Sequence, residues 1–293
     1  MPAEAAHRFM PPVSPHRCTS MDDPGLSERF AALGAWIDGA RSASMAWYHQ
    51  PLDVQTKADG SPVTQADRAV EHLLRDRIHA AFPSDGLLGE EHGAEPGRNG
   101  WRWIIDPIDG TASFMRGIPL WGTLVALEFT EPGLQPRVVA GIADYPALDE
   151  RIEAPSTTIA WWTRRGTRDR CHVAPARALA DALVCTTGTE YFRQAGRLEA
   201  WERLGRRCRA LRGWSDCSAL LLLCTGRVDA VVEPVMHPWD IGPFAAALPA
   251  SGASWTDLDG NPYLLAESLV ASSSAPLQRA LLGALGGDQE RCY

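Results

Sequence analysis

The 293-residue sequence has no Cys-x-x-Cys pair, no Cys/His zinc spacing and no even cysteine count. Its seven cysteines (Cys18, Cys171, Cys185, Cys208, Cys217, Cys224 and Cys292) are scattered, which argues against a disulfide framework and for reduced thiols in the cytoplasm. Long apolar runs are missing as well. The longest strongly apolar stretch, residues 219–224, falls far short of the roughly 18–20 residues that span a bilayer, so no membrane segment is expected. Positive charge is also short: the formal net charge is −8, and a chain of that sign is repelled by nucleic acid and anionic lipid. Any anion site must then be built from metal ions or backbone N–H groups. Residues 1–25 are rich in proline and lack a continuous apolar stretch, which predicts a flexible extension and not a secretory signal, with Met21 as an alternative start. There is no internal repeat and no low-complexity segment.

What is present is an ordinary globular composition, 45% hydrophobic, enough for a core of one large domain or two small ones. Apolar residues at helical spacing (Phe30, Leu33, Trp36, Ile37, Met45, then Val70, Leu73, Leu74, Ile78, Ala81, Phe82) predict two opening helices. Thr64 followed three residues later by Asp67 has capping-box spacing. After Pro83 the texture changes to short strand-like runs at 86–89, 101–105, 122–129 and 138–142, which predict a largely antiparallel sheet against those helices. The second half alternates, with strands at 183–186 and 228–233 and helices at 198–208, 218–225 and 241–251. That is the texture of an α/β layer. Pro146, Pro155 and a Ser-Thr-Thr run place the seam near 145–160, between an α+β half (26–150) and an α/β half (151–293).

Asp106-Pro107-Ile108-Asp109-Gly110-Thr111 follows the apolar run Trp103-Ile104-Ile105. Asp106, Asp109 and the Ile108 carbonyl are hard oxygen donors of the kind Mg²⁺ prefers, and the Gly110 and Thr111 amides suit phosphate oxygens. As a bare string this fits a turn with solvated carboxylates equally well. Gly89-Glu90-Glu91 closes another apolar run, and Asp240 stands where a helix N-cap would. Taken singly, Asp240 reads as a cap, Glu90 and Glu91 as a solvated loop pair, and Asp67 as half of a capping box. No His or Cys partners these acids at zinc or iron spacing.

Together, four collinear pieces resemble the inositol monophosphatase superfamily over residues 26–285. They are Lys57-Ala58-Asp59-Gly60-Ser61-Pro62-Val63-Thr64-Gln65-Ala66-Asp67, Gly89-Glu90-Glu91, the segment from Trp103 through Asp106-Pro107-Ile108-Asp109-Gly110-Thr111 to Phe114, and Trp239-Asp240. The resemblance implies an α/β (α+β) fold, the layered αβαβα sandwich of the inositol monophosphatase and fructose-1,6-bisphosphatase type. It implies one Mg²⁺ on Glu90, Asp106 and the Ile108 carbonyl, and a second on Asp106, Asp109 and Asp240. A third, weaker ion near Glu90 is common in such enzymes, and Mn²⁺ is an alternative metal. Most of these ligands fall in the 26–150 half; Asp240 and the substrate side fall in 151–293. Asp67 with Thr111 would orient and deprotonate the attacking water, with Glu90 also at the reacting centre, and the Gly110 and Thr111 amides would hold phosphate. Relatives are commonly homodimers.

Within the superfamily the histidinol-phosphatase branch is the nearest likeness, on the stretches 59–69 and 111–124 and on Ser215-Asp216-Cys217. Residues 150–176 match it poorly. The expected substrate is a small phosphate monoester, L-histidinol phosphate in histidine biosynthesis, hydrolysed by metal-activated water. Its ammonium and imidazole call for a carboxylate outside the metal cluster, with Asp216 the first candidate and Glu190 the second; the competing role for Asp216 is a helix cap. Alternatives are an inositol 1-phosphate, sugar-bisphosphate or nucleotide 3′-phosphate phosphatase using the same metals, and a catalytically idle phosphate-binding relative.

Overall fold

The computed structural model describes residues 25–57, 60, 62–214, 216–261 and 267–286. The extension expected at residues 1–24, and Ala58, Asp59, Ser61 and Ser215 of the quoted motifs, lie outside the described residues. The first periodic segments form the helices Leu26–Trp47 and Gln65–Ala81, which bury Leu33, Ile37 and Ala40 and Val70, Leu74 and Ile78 respectively. They cover one face of an eight-stranded sheet. Because side chains alternate across a strand, Trp103, Ile105, Val125 and Leu127 meet these helices while Ile104, Leu124 and Ala126 face the other way.

Across that sheet the strands run Thr167–Arg170, Ile159–Arg164, Glu150–Ser156, Arg137–Tyr145, Gly122–Phe129, Trp101–Asp109, Gly86–Gly89 and Gly93–Glu95. Every neighbouring pair is antiparallel except Gly86–Gly89 with Trp101–Asp109, which is parallel. The sheet continues through residues 145–160 to Arg170, and the chain joins the second sheet at Leu183.

That second sheet orders Ala210–Arg212, Leu183–Cys185, Ala230–Glu233, Leu269–Ser272 and Ser254–Thr256. Between the sheets lie Cys217–Cys224 and Phe244–Ser251, short helices that are apolar nearly all round, as a helix buried on both sides must be. Leu198–Arg207 and Ala275–Gly286 close the far face with Trp201, Leu204, Leu277 and Leu281. The layers are therefore αβαβα. One expectation needs correction: the helix foreseen at 241–251 is two pieces, Pro238–Ile241 and Phe244–Ser251. Pro243 has no N–H to continue the first turn, and it is accepted instead at the start of the next helix. Among the described residues no helix is long and apolar enough to cross a membrane.

Remote from the strand ends where the acids gather, Arg29 grips Asp85 through two hydrogen bonds of 2.7 Å, its guanidinium 4.6 Å from the centres of both the Phe82 and Trp101 rings. Asp85 also accepts from Asn99 and from the Trp103 indole at 2.8 Å. Burial alone would raise the Asp85 pKa, but these donors and the Arg29 charge hold it below its ordinary value. Its contribution to stability is therefore present above the unfolded-state pKa and is lost as pH falls through the depressed folded value. Asp85→Asn is expected to cost about 3 kcal/mol in urea unfolding, because it strands a buried guanidinium, with turnover unchanged.

Candidate active site

The one parallel pair of the eight-stranded sheet creates the site. Gly89 lies opposite Ile105 in register, so the next residue of each strand, Glu90 and Asp106, emerges side by side at the same sheet edge. Beyond Asp106 the pairing with Gly122–Phe129 shifts register before Asp109, and Thr123 Oγ1 pins the displaced Pro107 carbonyl at 2.8 Å. The chain then turns sharply at Gly110, whose φ is 85° and whose missing Cβ would sit 2.8 Å from the Leu120 carbonyl oxygen. Only glycine fits there. A single helical turn, Thr111–Phe114, follows.

Asp240 arrives from the other half of the chain on the Pro238–Ile241 turn, anchored by the His237 N–H at 2.8 Å. Asp106, Asp109 and Asp240 each offer a carboxylate oxygen, all within 4.8 Å of one another. Glu90 stands within hydrogen-bonding reach of Asp106. Asp109 accepts the Cys217 N–H at 2.8 Å, from the first turn of the helix between the sheets. Glu90, Asp106, Ile108, Asp109, Gly110, Thr111 and Asp240, all foreseen, line one cavity of about 800 Å³.

This cluster is electrostatically incomplete. Asp106 Oδ1 is buried with no hydrogen-bond partner. Burial, then the charges of Glu90, Asp109 and Asp240, push the Asp106 pKa well above its ordinary value; burial with Asp216 and Asp240 does the same to Asp109. Asp240 is raised to about 7, chiefly by burial and then by Glu90 and Asp216 against the opposing His237 hydrogen bond. Carboxylates crowded this way cannot all ionise without a cation among them. The donors are all hard oxygens, with neither histidine nor cysteine in the set, as suits Mg²⁺ or Mn²⁺. The residues fit a divalent metal.

Lys57, to which the sequence assigned no role, supplies part of the missing charge: its Nζ lies 2.6 Å from both Glu90 Oε1 and Glu91 Oε1. Burial alone would lower its pKa, but the two carboxylates outweigh that and hold it above its ordinary value.

Asp67 is wholly buried, and its two oxygens divide the labour. One accepts Thr64 N–H at 2.9 Å and Thr64 Oγ1, completing the capping box; the other lies 3.1 Å from Thr111 Oγ1, which is also 3.1 Å from the Ile108 carbonyl oxygen. The cap and the contact to Thr111, set against each other on sequence, coexist.

On the opposite wall stands Asp216, with φ 54° and ψ −146°, in a region that side chains other than glycine rarely enter. Although it occupies the N-cap position of Cys217–Cys224, its side chain makes no capping hydrogen bond. Close to it is Glu233, buried at the end of Ala230–Glu233, where it accepts Thr187 N–H at 2.7 Å. Burial and then the Asp216 charge push the Glu233 pKa well above its ordinary value, against the Thr186 and Thr187 hydrogen bonds. Tyr191 completes this wall, its pKa raised to about 12 by burial, then by Asp216, Glu190 and Glu233.

Glu190 is brought to a different place from the one expected of a substrate contact. It is exposed, its carboxylate folds back over Gly188, and it is not among the lining residues. At the start of a helix with Gly188 as N-cap, the helix turns Tyr191 and Gln194 inward instead. Glu233 was missed, although an acid closing the apolar run Ala230-Val231-Val232 repeats the pattern that singles out Glu90 and Asp106.

The model of the inositol monophosphatase family matches residues 27–291. A histidinol-phosphatase of Chlorobaculum parvum is 36% identical over 247 residues, spanning 82% of this chain and 90% of the relative. An inositol-1-monophosphatase of Mesorhizobium japonicum is 31% identical over 241 residues, spanning 80% and 87%. Among solved structures, an inositol monophosphatase from Zymomonas mobilis superposes with a TM-score of 0.76 at 26% identity, covering 90% of this chain and all of that one. With its sequence and its layered fold matched along nearly the whole length, this chain belongs to the inositol monophosphatase family and is a phosphoric monoester hydrolase.

Proposed function

We propose that the protein is a Mg²⁺-dependent L-histidinol-phosphate phosphatase. The observation that carries the substrate is the acidic wall of Asp216 and Glu233, which faces the cavity outside the Asp106, Asp109 and Asp240 cluster. Inositol presents hydroxyls, which such a wall can bond but which do not balance its charge. A primary ammonium does both. The inositol 1-phosphate reading keeps one specific support, the 31% identity to the Mesorhizobium japonicum enzyme, and shares every metal-binding residue.

The proposed roles follow the geometry. Glu90, Asp106, the Ile108 carbonyl, Asp109 and Asp240 would hold two or three Mg²⁺ ions, with Mn²⁺ a substitute. When bound, the metal supplies charge neutralisation and a more acidic water. Thr111 and Asp67 form the proton-accepting pair for that water, and Gly110 and Thr111, both facing the cavity, receive the phosphate. All five described cysteines are free thiols, which supports a cytoplasmic setting; a homodimer is the assembly proposed by family likeness.

Phosphate release from L-histidinol phosphate, inositol 1-phosphate and p-nitrophenyl phosphate, with Mg²⁺ and with excess EDTA, tests this reading. Metal-dependent release with the highest kcat/KM on L-histidinol phosphate is expected. Release from none of the three would mark an idle phosphate-binding relative.

Asp67→Asn separates catalysis from capping. The amide oxygen can still accept the Thr64 N–H, but its nitrogen cannot take a proton from Thr111. A fall in kcat of about 10²-fold or more is expected, with Tm nearly unchanged. A loss confined to Tm would reduce Asp67 to a helix cap.

A further inference from the structure

The helix Gln65–Ala81 carries Asp67, Glu71 and Arg75 at four-residue intervals, so all three lie on one buried face. Asp67 addresses Thr111. Glu71, wholly buried, addresses the turn after the neighbouring strand: its Oε2 accepts Glu91 N–H at 2.8 Å and its Oε1 accepts His92 N–H at 3.2 Å. Arg75 donates Nε to Glu71 at 2.7 Å, Nη2 to the Gly93 carbonyl at 2.5 Å and Nη1 to Glu95 at 2.6 Å. From the other side Glu90 N–H binds the Ile105 carbonyl at 3.1 Å. A Cβ on Gly89 would collide with the Glu71 carboxylate and stand 2.9 Å from Arg75 Nη2, so the strand end is bare to admit this pair.

We infer that Glu71, braced by Arg75, is a positioning residue that sets the affinity of the acid cluster for its divalent metal by fixing the backbone from which Glu90 projects. The inference rests on the metal reading above. A buried ion pair is costly to assemble and contributes little net stability. This one holds the chain at Glu91, His92 and Gly93, directly after the carboxylate that faces Asp106. One rigid helix thereby holds both the acid beside Thr111 and the turn bearing Glu90, so their spacing is fixed by helix geometry and not by a loop. A carboxylate is needed at Glu71 because the Glu91 N–H, the His92 N–H and the Arg75 Nε–H that face it are all donors, with His92 Nδ1 a fourth neighbour 3.3 Å from Oε1; a glutamine would turn an N–H toward at least one of these donors.

Mn²⁺ binding, followed by electron paramagnetic resonance on the full chain, tests this without reference to turnover. Wild type is expected to bind, Asp106→Asn to lose binding, and Glu71→Gln to bind about 10- to 100-fold more weakly, the usual cost of removing a group that orients a ligand. Arg75→Lys keeps the charge beside Glu71 but loses the fork to Gly93 and Glu95; it is expected to weaken Mn²⁺ in the same direction, and it serves if Glu71→Gln does not fold. Asp85→Asn, which also breaks a buried ion pair, should lower Tm and leave Mn²⁺ affinity unchanged, so a general loss of stability is told apart from a positioning effect. Wild-type affinity in folded Glu71→Gln or Arg75→Lys would overturn the inference. Absence of Mn²⁺ binding by the wild type would overturn the metal reading itself.

Discussion

Asp106→Asn is expected to lower phosphate release by on the order of 10³-fold or more while leaving the metal-free protein as stable as the wild type, or more so. The two halves of this result have one cause. Asp106 is 2% exposed, faces Glu90, Asp109 and Asp240, and has an oxygen with no hydrogen-bond partner. Its pKa is raised on folding, so ionised Asp106 opposes the fold at neutral pH, and that opposition fades only as pH falls through the raised value. Asparagine removes the charge without changing the shape. A residue that harms the empty fold yet is indispensable to turnover is one whose charge is reserved for a cation. Thermal melts in EDTA beside steady-state assays in Mg²⁺ check both halves; full turnover by Asp106→Asn, or undiminished wild-type turnover in excess EDTA, would exclude the metal-centred account.

The second large effect is one of selectivity. Asp216→Ala is expected to reduce kcat/KM for L-histidinol phosphate by about thirty- to a hundredfold, equivalent to about 2–3 kcal/mol for a partly buried charge pair, and to change p-nitrophenyl phosphate hydrolysis little. The backbone supports a functional role. At φ 54° and ψ −146°, Asp216 adopts a conformation proper to glycine, and strain of this kind persists where a side chain is needed in place. Asp216→Gly should therefore relieve about 1 kcal/mol of strain, raise Tm, and still lose the cationic substrate. Equal losses on both esters would return Asp216 to a structural part.

Much of this was legible in the sequence because the acids sit at strand ends, where an apolar run stops and polar residues begin. Glu90, Asp106 and Asp109 are all marked that way. Their convergence was not legible: it depends on one parallel pair in an otherwise antiparallel sheet, and register cannot be read from either strand alone. Lys57 and Glu71 escaped for the same reason, since each acquires its meaning only when the helix and the turn meet. Glu190 shows the converse. The sequence offers it as a second carboxylate for the substrate cation, but helical rotation sends it outward and brings Tyr191 in. The helix at 241–251 was misjudged because its apolar content outweighed Gly242-Pro243, where the backbone breaks.

The central claim joins a metal-bearing acid cluster to an acidic wall that selects a cationic alcohol. The most direct test is kcat/KM for L-histidinol phosphate and for inositol 1-phosphate, measured side by side in Mg²⁺ on one wild-type preparation. A preference for L-histidinol phosphate of at least about thirtyfold is predicted; equal turnover, or a preference for inositol 1-phosphate, would contradict it.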